Sequence, residues 1–131
     1  MIKASELLKL KTWAVVGASE NKEKYGCKIL KKLKDSGYNV LSVNPNYEMV
    51  LGEKCYPDLL SLPQKPDVVN IVVSPKHGMK TIAEAAELGI KYIWLQPGTF
   101  NQELLDLANE KEVETIQACV LVELANKKER I

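Results

Sequence analysis

TWAVVGASENKEKYGCKILKKLKDSGYNVLSVNP, residues 12–45, reads as one strand–helix–strand unit. Thr12–Val16 is a short apolar run that stops at Gly17. Tyr25, Ile29, Leu30 and Leu33 then share a face at helical spacing, with Gly37 placed as a C′ glycine. After the turn signal Asp35-Ser36-Gly37, Asn39–Val43 is a second run of the first kind. Strands joined through a helix lie parallel, so this unit alone argues for an α/β sheet.

The rest of the chain repeats the alternation. Asp67–Val73, Tyr92–Gln96 and the weaker Glu114–Ala118 are the further strand candidates. Near-continuous Val/Ile runs suit parallel strands covered on both faces. Met79, Ile82, Ala83 and Ala86 repeat at helical spacing before Gly89, and Gln102–Lys111 does so more briefly. The proline-rich stretch Asn44–Pro66 offers one short helix candidate, Pro57–Leu62, and Ala4–Leu10 opens the chain as another, with Ser5 as its candidate cap. The expected fold is α/β: one doubly wound domain over residues 1–131, with a five-stranded, mainly parallel sheet of order 3-2-1-4-5 and helices on both faces. In that order the first and fourth runs are neighbours and the chain changes direction between them. Ligands in such sheets bind beyond the carboxyl ends of the strands at the switch point.

Composition narrows the function classes. The chain has 131 residues, 46% hydrophobic and 27% charged, which is one ordinary domain with enough apolar surface for a core. A net charge of +1 does not imply a general nucleic-acid surface. The charge is uneven, however: residues 1–36 hold nine lysines against Glu6, Glu20, Glu23 and Asp35. Lys28, Lys31, Lys32 and Lys34 among them read as the solvated face of a helix. Three distant cysteines, Cys27, Cys55 and Cys119, and a single histidine, His77, provide no disulfide framework, C-x-x-C pair or two-histidine metal motif. No signal-peptide core or 18-residue apolar run is present, so a soluble, reduced, cytoplasmic protein without a membrane partner is expected.

The strand ends carry the candidate chemistry. Gly17-Ala18-Ser19 follows the first strand, and Gly26 sits at the start of the first helix. Glycine lets backbone approach a phosphate, and a helix start offers free N–H groups and a positive dipole end. Lys22 and Lys24 lie in the intervening loop as possible phosphate partners. The pattern is not G-x-G-x-x-G, because a longer loop replaces the tight turn. The second strand ends in Asn44-Pro45, where an NAD site usually places a carboxylate for the ribose hydroxyls; a neutral Asn tolerates a phosphorylated ribose instead. Val73-Ser74-Pro75 and Gln96-Pro97-Gly98 close the next two strands, and their backbone groups are placed to meet an adenine or an amide. His77 lies near the crevice without a nucleophile or paired carboxylate, so no catalytic residue is assigned. Trp13 and Trp94, within strands, read as core.

These segments together resemble a known family. VVGAS (15–19), the basic loop before Tyr25-Gly26, DSGYNVLSVNP (35–45), GEKCYPDL (52–59), DVVNIVVSP (67–75), GIKYIWLQPG (89–98) and Cys119-Val120 are similar to the small stand-alone CoA-binding proteins. Their domain is similar to the amino-terminal nucleotide-binding domain of the succinyl-CoA synthetase α subunit. The resemblance covers about residues 10–124 and implies a Rossmann-like CoA-binding fold with CoA or acyl-CoA as the small-molecule ligand. It implies that Gly17, Ala18 and Ser19 face the pyrophosphate, with Lys22, Lys24, Tyr25 and Gly26 bordering it. Asn44 and Pro45 would line the adenosine side, Val73, Ser74 and Pro75 the adenine, and Gln96, Pro97 and Gly98 the pantetheine arm. The phosphohistidine domain of the synthetase has no counterpart in these residues, so the resemblance implies binding rather than ligase chemistry. Two other readings stand beside it: an NAD(P)-linked redox enzyme or sensor, and a regulatory interaction module, as a homodimer or with a protein partner, whose crevice is vestigial. A mixed disulfide of CoA with Cys55 or Cys119 is a further option.

Overall fold

The computed structural model describes residues 2–129. Seven strands form one sheet in the order β3-β4-β2-β1-β5-β6-β7, with β1 Thr12–Val16, β2 Asn39–Val43, β3 Met49–Val50, β4 Glu53–Tyr56, β5 Val68–Ile71, β6 Tyr92–Leu95 and β7 Glu114–Gln117. Every pairing is parallel except that of β3 with β4.

Two expectations need correction, the strand count and the order. Counting only the five long runs, the observed order is 2-1-3-4-5 rather than 3-2-1-4-5. The third run, β5, lies against β1 in register Val15↔Asn70, where the fourth run was expected. The place beside β2 is taken by β4, through Ser42↔Cys55 and Val43↔Tyr56. The reason is burial. All four residues of β5 are buried, which requires a central position, whereas β4 exposes Glu53 and Lys54 and suits the margin. β3 and β4 form a hairpin across Leu51 and Gly52, both at positive φ (50° and 80°), the combination of a two-residue type I′ turn.

Alternation along the strands divides the core into two layers. Trp13, Val15, Val40, Val68 and Trp94 face helices α1 (Ala4–Leu7), α2 (Tyr25–Asp35) and α5 (Val120–Glu129). Ala14, Val16, Val43, Val69, Ile71, Ile93 and Leu95 face α3 (Pro75–Glu87) and α4 (Gln102–Glu110). Trp13 and Trp94 are fully buried, with ring centroids 5.5 Å apart. Their indole N–H groups donate to Leu10 O and Ala118 O, both at 2.9 Å, so neither polar edge is stranded.

The helices begin and end for local reasons. Pro75 occupies the first position of α3, where its missing N–H costs nothing, and Asn101 caps α4 by accepting from Leu104 N–H at 2.9 Å. Gly78 lets α3 approach α4, since a Cβ there would meet Leu104 Cδ1 at 2.9 Å. The opening helix is shorter than expected, with Lys3 rather than Ser5 at its cap. The Pro57–Leu62 candidate is a single 3-10 turn, Leu59–Ser61, which Asp58 caps. The final helix α5 has no counterpart in the sequence reading.

Two buried side chains, Ser42 and Asn70, have polar atoms without a hydrogen-bond partner among the described residues. Asn70 is fully buried in β5, and neither carboxamide atom has a hydrogen bond among the described residues. An unsatisfied buried amide costs its desolvation, so Asn70→Leu should leave stability unchanged or raise it by about 1 kcal/mol. Urea unfolding measures this; a loss above about 2 kcal/mol would show that Asn70 has a partner such as a buried water.

Candidate functional site

The sheet changes direction between β1 and β5, and a cleft of about 690 Å³ opens there at the carboxyl ends of the strands. Gly17, just beyond β1, has φ +105°, and a Cβ on it would meet Val73 Cγ1 at 3.0 Å and Val72 C at 3.2 Å. Gly26 is more constrained still. A Cβ there would lie 1.9 Å from Gly17 O, so only glycine lets the first turn of α2 sit on the β1 loop. Both residues line the cleft.

Hydrogen bonding then decides which groups remain available. Gly17 N–H and Ala18 N–H both donate to Val43 O, at 2.9 and 3.3 Å. Ala18 is fully buried. The expectation that these two amides face a pyrophosphate is therefore corrected: they tie the loop to β2. Among the described residues, the N–H groups of Ser19, Tyr25 and Gly26 have no partner, and all three residues line the cleft. Free N–H groups at the start of an eleven-residue helix, with the dipole aligned behind them, are chemically suited to an anion.

The loop between Ser19 and Tyr25 is held by its own polar groups. Asn21 N–H donates to Ser19 Oγ at 3.0 Å, Glu23 N–H to Asn21 Oδ1 at 3.0 Å, and Lys24 N–H to Asn21 O at 3.0 Å. The Glu20 carboxylate accepts from Leu51 N–H and so straps the loop to the β3–β4 hairpin. This geometry separates the two loop lysines. Lys24 borders the cleft, while Lys22 borders a different groove with Lys28 and Lys31.

Asn44 is a brace. Its Nδ2 donates to Ala18 O at 2.8 Å, its Oδ1 accepts from Asn46 N–H at 2.9 Å, and its backbone N–H donates to Tyr56 O at 2.8 Å. One side chain thus joins the β1 loop to the turn after β2. Its neutrality matters because a carboxylate could not donate to Ala18 O.

Gln96 does the same at the other end. It is 4% exposed, and its Oε1 accepts from Val120 N–H at 2.8 Å, fixing the start of α5. Thr99 Oγ1 donates to Gln96 O at 2.6 Å and shapes the Pro97-Gly98 turn. Gln96 Nε2 has no partner among the described residues and belongs to a residue lining the cleft.

The expected site residues fall into two groups. Gly17, Ser19, Lys24, Tyr25, Gly26, Asn44, Val73, Ser74, Gln96, Pro97 and Gly98 line the cleft. Ala18, Lys22, Pro45 and Pro75 do not: Ala18 is core, Pro75 heads α3, and Pro45 borders a smaller cavity of about 260 Å³ on the α3 side with His77. Glu23, Asn46 and Tyr47 also line the cleft and were not anticipated. Tyr47 OH lies 3.4 Å from Ser19 Oγ. The turn after β2 carries Asn46 and Tyr47 over the cleft. The one signal for it was the Asn44-Pro45-Asn46 sequence, which reads only as a turn.

The three thiols are not equivalent. Cys27 and Cys55 are each 4% exposed, whereas Cys119 is half-buried and lines the cleft. Burial pushes the Cys55 thiol up from its ordinary value. Among the described residues, no cluster of His, Cys, Asp and Glu could hold a metal ion, and no helix is long and apolar enough to cross a membrane.

Residues 11–125 match the family described as CoA binding domain. Among solved structures, a conserved hypothetical protein from Pyrococcus furiosus is 43% identical with a TM-score of 0.81, over 86% of this chain and 98% of that one. A hypothetical protein from Pyrococcus horikoshii is 38% identical with a TM-score of 0.82, over 88% and 81% of the two chains. An ADP-forming acetate–CoA ligase II from Archaeoglobus fulgidus is 37% identical over 95 residues, which is 71% of this chain and 14% of that protein. The chain therefore spans a small part of the ligase.

Proposed function

The chain belongs to the CoA-binding domain family, and from that premise we propose that it binds coenzyme A, or an acyl-CoA, in the cleft between the starts of α2 and α5. The observation that carries this reading is the set of unbonded N–H groups at Ser19, Tyr25 and Gly26. They line a cleft in which a side chain at Gly26 would collide with the β1 loop. A pyrophosphate suits that set, because each free amide N–H can donate to a phosphate oxygen and the α2 dipole favours the negative charge. Lys24 adds a mobile cation at the same place.

The remaining parts of the ligand are assigned, as part of this proposal, to the other strand ends around the cleft. Adenosine lies toward Asn44, Asn46 and Tyr47 beyond β2, with the adenine against Val73 and Ser74. The pantetheine arm runs over Gln96, Pro97 and Gly98, where Gln96 Nε2 supplies a donor to an amide carbonyl. In this role the protein is a binding module, with no catalysis assigned to the cleft. The acetate–CoA ligases that resemble part of the chain use CoA by their names, which supports the same ligand class here.

Calorimetric titration with CoA, dephospho-CoA and NAD on one preparation tests the reading. CoA is expected to bind most tightly, with affinity falling as salt rises because Lys24 and the helix start act through charge. Preference for NAD, or no heat with any of the three on ligand-free protein, would overturn it. An affinity indifferent to salt would remove Lys24 from the site.

A further inference from the structure

We infer that the free edge of β7 pairs antiparallel with β7 of a second copy of this chain, on a twofold axis through Ile116, so that two sheets become one. The inference does not rest on CoA binding. β7 ends the sheet and pairs only with β6. Glu114 N–H donates to Lys91 O at 2.9 Å and Ala118 N–H to Leu95 O at 3.2 Å, so the even-numbered residues of this segment bond toward β6. Alternate residues of a parallel ladder bond the other way, so the N–H and C=O groups of Thr115 and Gln117 point off the sheet. Neither N–H has a partner among the described residues. The strand has no proline or lysine and no bulge in its register, the devices that keep sheet edges apart.

These open groups are self-complementary. In an antiparallel pair centred on Ile116, Thr115 of each copy exchanges both backbone bonds with Gln117 of the other, giving four interchain bonds. The two neighbouring registers call on groups already committed. Centring the pair on Thr115 would need Val113 N–H, which donates to Ala108 O at 2.9 Å. Centring it on Gln117 would need Cys119 O, which accepts from Glu123 N–H at 3.0 Å.

The side chains fit the same register. Ile116 is partly buried on the α5 face, beside Trp94, and meets its twofold mate. Thr115 lies on the α4 face with Val113, where a groove of about 530 Å³ runs beside the strand, walled by Ile2, Leu105 and Ala108. Gln117 of the second copy stands opposite Thr115 on that face, at the groove. The one charge of the strand, Glu114, falls opposite Ala118 of the second copy, so no like charges meet in the pair. Four backbone bonds and one isoleucine pair make a small interface, so association in the micromolar range is expected.

Sedimentation velocity from about 10 to 500 µM tests the inference, with a monomer–dimer equilibrium expected in that range. Thr115→Pro removes one interchain donor from each copy and no bond to β6, so it should weaken the dimer about tenfold or more while the chain stays folded by thermal unfolding. Two paired variants test the register whether or not the proline variant folds. Thr115→Lys with Gln117→Lys sets like charges opposite each other and should give a monomer, whereas Thr115→Lys with Gln117→Glu sets opposite charges there and should restore the dimer. A monomer throughout the range would overturn the inference. So would a dimer that survives the paired lysines, which would belong to another face, or a Lys/Glu chain no more associated than the Lys/Lys chain.

Discussion

Gly26→Ala is expected to destabilise the protein by about 3 kcal/mol and to weaken CoA binding about tenfold or more. The added methyl would sit 1.9 Å from Gly17 O, and the obstacle is backbone, so no rotamer change can relieve it. Either α2 lifts from the sheet or the β1 loop shifts. Both responses move the Tyr25 and Gly26 N–H groups relative to Ser19. Urea unfolding and calorimetry on the same preparation measure the two effects. Unchanged stability together with unchanged affinity would mean that the close approach of helix and loop is not needed, and would contradict the site.

Asn44→Asp is the second large effect. The substitution keeps the acceptor for Asn46 N–H but replaces the donor to Ala18 O, 2.8 Å away, with a carboxylate oxygen. Lost hydrogen bonding and repulsion should cost about 1–3 kcal/mol at neutral pH. Repulsion raises the folded-state pKa of the new carboxyl above its unfolded value. The deficit is therefore full at neutral pH and shrinks as pH falls through the carboxylate range, where a protonated carboxyl can donate again. CoA affinity should fall too, because the β1 loop loses its tie to β2. Thermal unfolding from neutral to acid pH checks the sign. A variant as stable as the parent at neutral pH, or one whose relative stability worsens in acid, would show that Asn44 is not a brace.

Both substitutions reveal what the sequence made legible and what it hid. The runs at Thr12–Val16, Asn39–Val43 and Tyr92–Leu95 are apolar because their strands are covered by helices, so the α/β class could be read from them. Glu53–Tyr56 could not be read this way. It is a short strand with two exposed charged residues, held by two register pairs to β2, and its existence depends on the hairpin at Leu51-Gly52. Missing it displaced β5 from the centre of the expected sheet. The rule that ligands gather at strand ends nevertheless selected most of the residues that line the cleft, because it needs only where each strand stops. The failures came from hydrogen bonds between distant segments. Lys22 borders another groove while its loop is strapped by Glu20 to Leu51, and Gly17 N–H is committed to Val43 O. Tyr47 enters the cleft through a turn whose course depends on Asn44. Helix α5 follows the weakest strand pattern, and among its described side chains the buried anchors are Val120 and Leu124.

The most direct measurement is a crystal structure of the protein with CoA. The account predicts the pyrophosphate within hydrogen-bond distance, about 3 Å, of the Tyr25 and Gly26 N–H groups, with the pantetheine arm passing Gln96 toward Cys119. A pyrophosphate bound in the Lys22–Lys28–Lys31 groove, or on the α3 side near His77, would contradict it.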